Sequence, residues 1–241
     1  MAEFDIKLFS LLSGKVDLPR IASFDPQIGL QIQPDGRRTW ALSRDTSDTS
    51  ATPKISDLKV DQGTLKYRAA DRGADMLVLF ILDAGPVISQ QSTAQLPLGF
   101  KASGKWNDES FTATGRTGGV LKLSRDLTES FPMEVSAQSG RTTSKASGTV
   151  ENWQEFSGLN AAIDIQGRNL DELYKLAGVV LPSTPPYKLS GQLRKRGQVL
   201  STTQIQGMLG KSDITGDMSF DTSQKTTLLT GRMRSKNSRF R

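Results

Sequence analysis

From about Leu96 onward the chain repeats one pattern: every second residue is aliphatic, aromatic, Ala or Gly, and short polar turns separate the runs. A period of two places those residues on one face of a strand, whereas a helix would need 3.6. Leu98, Phe100, Ala102, Gly104 and Trp106 share such a face; Asn107 and Asp108 then supply a turn, and Phe111, Ala113 and Gly115 return as the second arm of a hairpin. Met133, Val135 and Ala137, then Ala146, Gly148 and Val150, then Ala161, Ile163, Ile165 and Gly167 continue the series. Four further strands follow, carrying Leu189-Gly191-Leu193, Ile205-Gly207-Leu209, Ile214-Gly216-Met218-Phe220 and Leu229-Gly231-Met233 on their apolar sides.

In each of those last four strands a Gly sits among the large apolar residues, and Gly weakens a strand, so its recurrence needs a reason. Two are open at this point. Gly relieves crowding where a twisted sheet curls tightly, or it lowers the floor of a channel that admits a ligand. The two are compatible, because a curled sheet makes a groove.

The first third is less regular. Ile28 to Ile32 reads as a strand, Pro34-Asp35-Gly36 as a turn and Trp40-Ala41-Leu42 as a return; residues 43–53 read as a polar loop. Leu58-Lys59-Val60 and Gly63 to Tyr67 read as another hairpin. Met76 to Leu82 reads either as a strand buried on both faces or as an apolar edge awaiting a partner. Residues 4–12 fit a short helix or a strand. One helix is expected near 169–181: Asn169 suits an N-cap, Glu172 follows three residues on, Leu170, Leu173, Leu176 and Val180 fall at helical spacing, and Pro182, Pro185 and Pro186 end it.

The fold class expected is mainly β, a long antiparallel meander curled into an open groove or taco-like sheet. Two regions are expected, an N-terminal β repeat over 1–95 and a meander over 96–241, in one continuous sheet. The 47 Ser and Thr residues among 241 suit the exposed faces and turns of such a sheet.

The chain has no Cys and no His. That removes disulfides, thiolate nucleophiles, Cys- or His-ligated metals and His-based triads. Asp171 beside Glu172 is explained by the dipole at a helix start, and Asp71 near Asp75 lacks surroundings that would tune an acid–base pair. Gly115-Arg116-Thr117-Gly118-Gly119 lacks the Lys-Ser/Thr of a phosphate loop and reads as a hairpin turn. No catalytic residue, metal site or cofactor is expected, and an enzyme is the least favoured class. The formal net charge is +6. Arg194-Lys195-Arg196 and the group Arg232, Arg234, Lys236, Arg239 and Arg241 read as solvated turns or as contacts for anionic head groups. With Phe240 alone among them, a nucleic-acid surface is not expected.

No run approaches the roughly 18 apolar residues of a membrane-spanning helix, and no signal peptide is visible at residues 1–5. The stretch from Gly167 through Leu170-Asp171-Glu172-Leu173 to Pro185-Pro186-Tyr187-Lys188-Leu189-Ser190-Gly191 resembles the AsmA family of Gram-negative envelope proteins, relatives of TamB. Gly210-Lys211-Ser212-Asp213-Ile214-Thr215-Gly216-Asp217 and Leu12-Ser13-Gly14-Lys15-Val16-Asp17-Leu18-Pro19 are similar to that family's repeats. The resemblance implies a periplasmic β-rich protein tethered to the inner membrane by an anchor this sequence lacks, here as an incomplete segment. It implies no cofactor and no catalytic residue, and it implies an apolar groove that conducts phospholipid towards the outer membrane. Leu189, Leu193, Ile205, Leu209, Ile214, Met218 and Phe220 are the residues expected to line it, with phospholipid acyl chains as partners. The rival reading is a scaffold or assembly factor for outer-membrane proteins, whose exposed strand edges pair with clients, with outer-membrane protein assembly components as further partners. An extracellular adhesin is a third, and the uneven strand spacing disfavours it.

Overall fold

The structure is a computed structural model. It describes residues 2–5, 17–23, 25–37, 39, 54–60, 62–70, 73–82, 96–118, 120–122, 130–151, 158–173, 181–223 and 228–235, with backbone alone for 2–5, 17–23, 54–60 and 120–122. Alternation is realised as strands throughout. The first six are β1 (Ala2–Asp5), β2 (Asp17–Ser23), β3 (Gln27–Ile32), β4 (Lys54–Val60), β5 (Gln62–Ala69) and β6 (Ala74–Leu82). The middle group is β7 (Leu98–Trp106), β8 (Glu109–Thr117), β9 (Val120–Lys122), β10 (Phe131–Ser139), β11 (Thr142–Glu151) and β12 (Gly158–Gly167). The last four are β13 (Tyr187–Arg196), β14 (Val199–Leu209), β15 (Ser212–Asp221) and β16 (Leu228–Arg234).

Twelve of these strands form one open sheet in the order β16-β15-β14-β13-β12-β11-β10-β8-β7-β6-β5-β3; β1-β2-β4-β9 form a smaller one. The expected class, a mainly β sheet that does not close on itself, is borne out. Neighbours from β5 to β16 pair antiparallel. The hairpin expected at Asn107-Asp108 joins β7 to β8, with φ of 50° and 62° at the two turn residues. Positive φ at both positions matches the right-handed twist of the arms, and Asn and Asp tolerate it better than most residues.

The N-terminal third departs from the expected meander. β3 runs parallel to β5 and β2 parallel to β4, and in both ladders each residue faces the one 37 further along the chain. β2 and β3 are therefore two stretches of one line, as are β4 and β5. The expected hairpin between Leu58-Lys59-Val60 and Gly63 to Tyr67 does not form: β4 pairs with β2 and β9, and β5 pairs with β3 and β6. Likewise Gly115 to Thr117 is strand within β8, not a turn; the Gly118 N–H donates to the Pro132 carbonyl at 3.2 Å, and Gly119 lies outside the described residues.

Register defines two faces. The front carries Leu65, Val78, Ala102, Ala113, Ala137, Ile163, Leu193 and their partners at alternate positions. Among the described side chains, every buried apolar residue within a strand (Ala69, Ala74, Leu98, Ala113, Val150, Ala161, Tyr187 and Ile205) is on that face. Close backbone approaches run between ladder neighbours, and most other large front-face side chains are only half-buried. The core is thus the inside of a curled single sheet.

Of the helix expected over 169–181, the described part is a 3-10 turn, Leu170–Glu172, and residues 174–180 lie outside the described residues. So do Trp40-Ala41-Leu42, the loop 43–53 and residues 6–12; Ala2–Asp5 is strand. No helix among the described residues is long and apolar enough to cross a membrane.

Candidate functional site

Strand register brings the seven sequence-selected residues onto one face of β13, β14 and β15. Leu189 and Ile214 flank Gly207 in one cross-strand row; Leu193 and Met218 flank Thr202 in another. Ile205 lies beside Gly216, Phe220 beside Leu200, and Leu209 between Tyr187 and Ser212. Keeping all of them on the front requires a bulge, because Leu200 and Thr202 have even numbers while Ile205, Gly207 and Leu209 have odd ones. The register shifts between Thr202 and Ile205, with Gln204 at φ 54° and its N–H donating to Asp217 Oδ1 at 2.9 Å. One extra residue re-phases the strand.

The same face extends well beyond those seven. Met76, Val78, Phe80, Phe100, Phe111, Met133, Val135, Ile163 and Ile165 occupy it in β6 to β12. The Phe80 and Phe100 rings meet with centroids 6.4 Å apart and planes tilted by 52°, an aromatic pair of the favoured kind. These positions were legible as alternation; in β6 the signal was hidden because both parities are apolar.

Glycines punctuate the face in a regular way. Gly104 lies between Met76 and Phe111, Gly115 between Phe100 and Val135, Gly207 between Leu189 and Ile214, and Gly216 between Ile205 and Met233. A Cβ at Gly104 would fall on the carbonyl oxygen of Asp75, and one at Gly207 on that of Lys188; φ at these two is 147° and 151°, which other residues rarely adopt. Of the two reasons for the glycines, close approach of adjacent backbones in a curled sheet is the one this geometry requires.

The ends of the front face differ. At one, Tyr187 is buried beside Gly167, where an added Cβ would sit 2.7 Å from the phenol oxygen. Burial pushes the Tyr187 phenol above its ordinary range; the Thr142 hydroxyl opposes this and the Glu172 charge adds to it. The segment after β12 is tied down by Asn169, whose Oδ1 accepts from the N–H groups of Thr184 at 2.8 Å and Asp171 at 3.2 Å while Nδ2 donates to Ser183 Oγ at 2.8 Å. The N-cap assigned to Asn169 is therefore realised and also clasps the Pro-rich link. Arg141 adds an ion pair to Glu172 at 3.0 Å, and the Gly210 N–H bonds the Pro186 carbonyl at 2.7 Å. At the other end β4 and β9, the continuations of β5 and β8, pair directly with each other, Leu58 opposite Leu121. Two strands separate β5 from β8 in the large sheet, so the pairing draws this end of the sheet inward.

Outside β6 the back face is mostly polar. A cleft of about 620 Å³ there is lined by Thr112, Thr114, Ser136, Gln138, Lys145 and Gln166, among others. It lies opposite the apolar lining and holds none of the seven selected residues. Of the basic residues noted in sequence, Arg194 to Arg196 close β13, not a turn, and Arg232 and Arg234 lie in β16; Lys236, Arg239 and Arg241 lie outside the described residues.

An open, mainly β sheet with one continuous apolar face and a mostly polar back defines a groove-forming β protein. Its sequence is similar to the AsmA family protein YhjG of Escherichia coli (strain K12), with 27% identity over 252 aligned positions. The alignment takes in 94% of this chain and 36% of that relative, so the chain spans about a third of the relative's length. The AsmA resemblance read from the Gly167 to Gly191 stretch is borne out. No protein-family profile matches the chain, and no solved structure does.

Proposed function

We propose that this chain is a cell-envelope segment, on the periplasmic side of the inner membrane, whose front face holds phospholipid acyl chains and passes them along the groove. The observation that carries the reading is a half-buried aliphatic face running through the large sheet, where most lining residues are neither sealed nor fully exposed. Such a face gains roughly 0.8 kcal/mol for each CH₂ it takes from water. Leu189, Leu193, Ile205, Leu209, Ile214, Met218 and Phe220 would contact the chain over β13 to β15, and the curled end at β4 and β9 would narrow the path. No step of the proposal needs a bond to be made or broken.

Native mass spectrometry of the purified protein is expected to find bound phospholipid. Leu209→Asp, at a half-buried position, should lower that occupancy several-fold, and Ile205→Asp should do so more strongly if the sheet tolerates a charge at a buried site. Lipid-free protein, or unchanged occupancy in a folded Leu209→Asp variant, would overturn the reading.

One observation favours a scaffold role as the second reading: every residue of β16 is exposed, with Leu228 at 59% and Met233 at 50%. Edge strands of this kind template pairing with another chain. Co-purification of barrel precursors, lost on Thr230→Pro with lipid occupancy intact, would favour it.

A further inference from the structure

β6 breaks the rule that the other central strands obey. On the back of β12 stand Asn160, Asp164 and Gln166, and on the back of β11 Thr143, Lys145, Ser147 and Thr149. The corresponding positions of β6 after Asp75 are Leu77, Leu79 and Ile81, and Leu79 and Ile81 are 43% and 57% exposed. Three aliphatic residues in a row on the solvent side of a central strand are not core. Their register partners are Lys66, Thr64 and Gln62 on β5 and Ser103, Lys101 and Gly99 on β7. Lys66, Lys101 and Lys105 are all exposed. The acid on this part of the back face, Asp75, is held by Arg68 at 3.1 Å.

We infer that the back of β5, β6 and β7 is a docking surface for an anionic lipid bilayer, with Leu77, Leu79 and Ile81 entering the interface and Lys66, Lys101 and Lys105 meeting the head groups. Apolar side chains bordered by exposed lysines are what an anionic interface binds, through apolar burial and attraction to its negative surface potential. A second copy of this chain fits less well. Stripe against stripe would bring the same lysines face to face, and like charges across an interface oppose binding. The surface is distinct from the groove: it lies on the opposite face of the sheet, so the patch can rest on a membrane while the front remains free to carry a lipid.

Co-sedimentation tests it, using vesicles of phosphatidylcholine with phosphatidylglycerol and vesicles of phosphatidylcholine alone. The chain should bind the anionic vesicles and be released by salt. The double variant Leu79→Ser, Ile81→Ser should weaken binding by about tenfold, given the apolar area removed, and Lys66→Glu with Lys101→Glu should weaken it on anionic vesicles selectively. Both pairs are at exposed positions, and urea unfolding checks that they fold. Leu209→Asp should bind vesicles as the parent does while losing lipid, which separates failure here from failure of the groove reading. Parental vesicle binding by both double variants overturns the inference, as does a concentration-dependent dimer that Ile81→Ser dissolves.

Discussion

Gly207 shows what a single residue does for this sheet. Its backbone lies where a side chain would strike the Lys188 carbonyl, and its φ of 151° is costly for any residue with a Cβ. Gly207→Ala should therefore destabilise the chain by about 1–3 kcal/mol. Gly29, on β3, has nothing within 4 Å of an added Cβ and no positive φ; Gly29→Ala should be neutral or slightly stabilising, through the unfolded chain. Urea midpoints of the two variants give the comparison, and equal midpoints would remove close approach as the reason for glycine on the front face. Tyr187 gives a pH signature. Its phenol is raised in the folded state by burial, so the unfolded chain loses its proton first, near ~10. The contribution is fully present below that pH and is lost as pH rises through the folded value. Stability above pH ~10 should fall less steeply in Tyr187→Phe than in the parent, as read from urea midpoints across alkaline pH.

The elements were readable wherever one strand's neighbour is the next in sequence. Alternation with a turn between, as at Phe100 to Ala113 or Leu189 to Leu209, carries both the strand and its partner, because a short turn forces antiparallel pairing. Leu58 and Leu65 carry the strand signal equally well, yet their partners are Ile21 and Ile28, 37 residues earlier, and Val78. Nothing in local periodicity encodes a parallel partner reached through a long connection. The bulge at Gln204 was equally hidden, since it depends on an Asp217 carboxylate from the next strand. The groove face was legible for the same reason as the hairpins, and the β6 stripe was not, because an all-apolar run does not say which parity faces the core. The Asn169 clasp is an element-scale device: two of its side-chain hydrogen bonds join the end of β12 to the link before β13, and a third caps the 3-10 turn at Asp171. Asn169→Ala should cost about 1–2 kcal/mol. Hydrogen exchange should quicken over 168–186 and stay slow in β14 and β15; uniform quickening would mean that the clasp supports the whole sheet.

At the scale of the molecule, close backbone contacts link each strand mainly to its two neighbours. Stability in such a chain is close to one-dimensional, a sum of strand and neighbour terms along the ladder, as in repeat proteins. A local wound should then stay local. The β4 to β9 ladder closes over about sixty residues of intervening chain, Leu58 to Leu121, and it is short, so it is the place to test this. Val120→Pro removes a backbone donor from that ladder. Exchange measured by mass spectrometry should rise over 17–23, 54–60 and 120–122, the small sheet. Tyr187–Arg196 and Ser212–Asp221, several ladder steps away in the large sheet, should keep parental protection. If instead protection collapses throughout, the small sheet and the groove fold as one cooperative unit, and the inward curl at β4 and β9 holds the whole face in shape. Retained protection in β13 and β15, together with unchanged lipid occupancy, would place lipid holding in the meander itself.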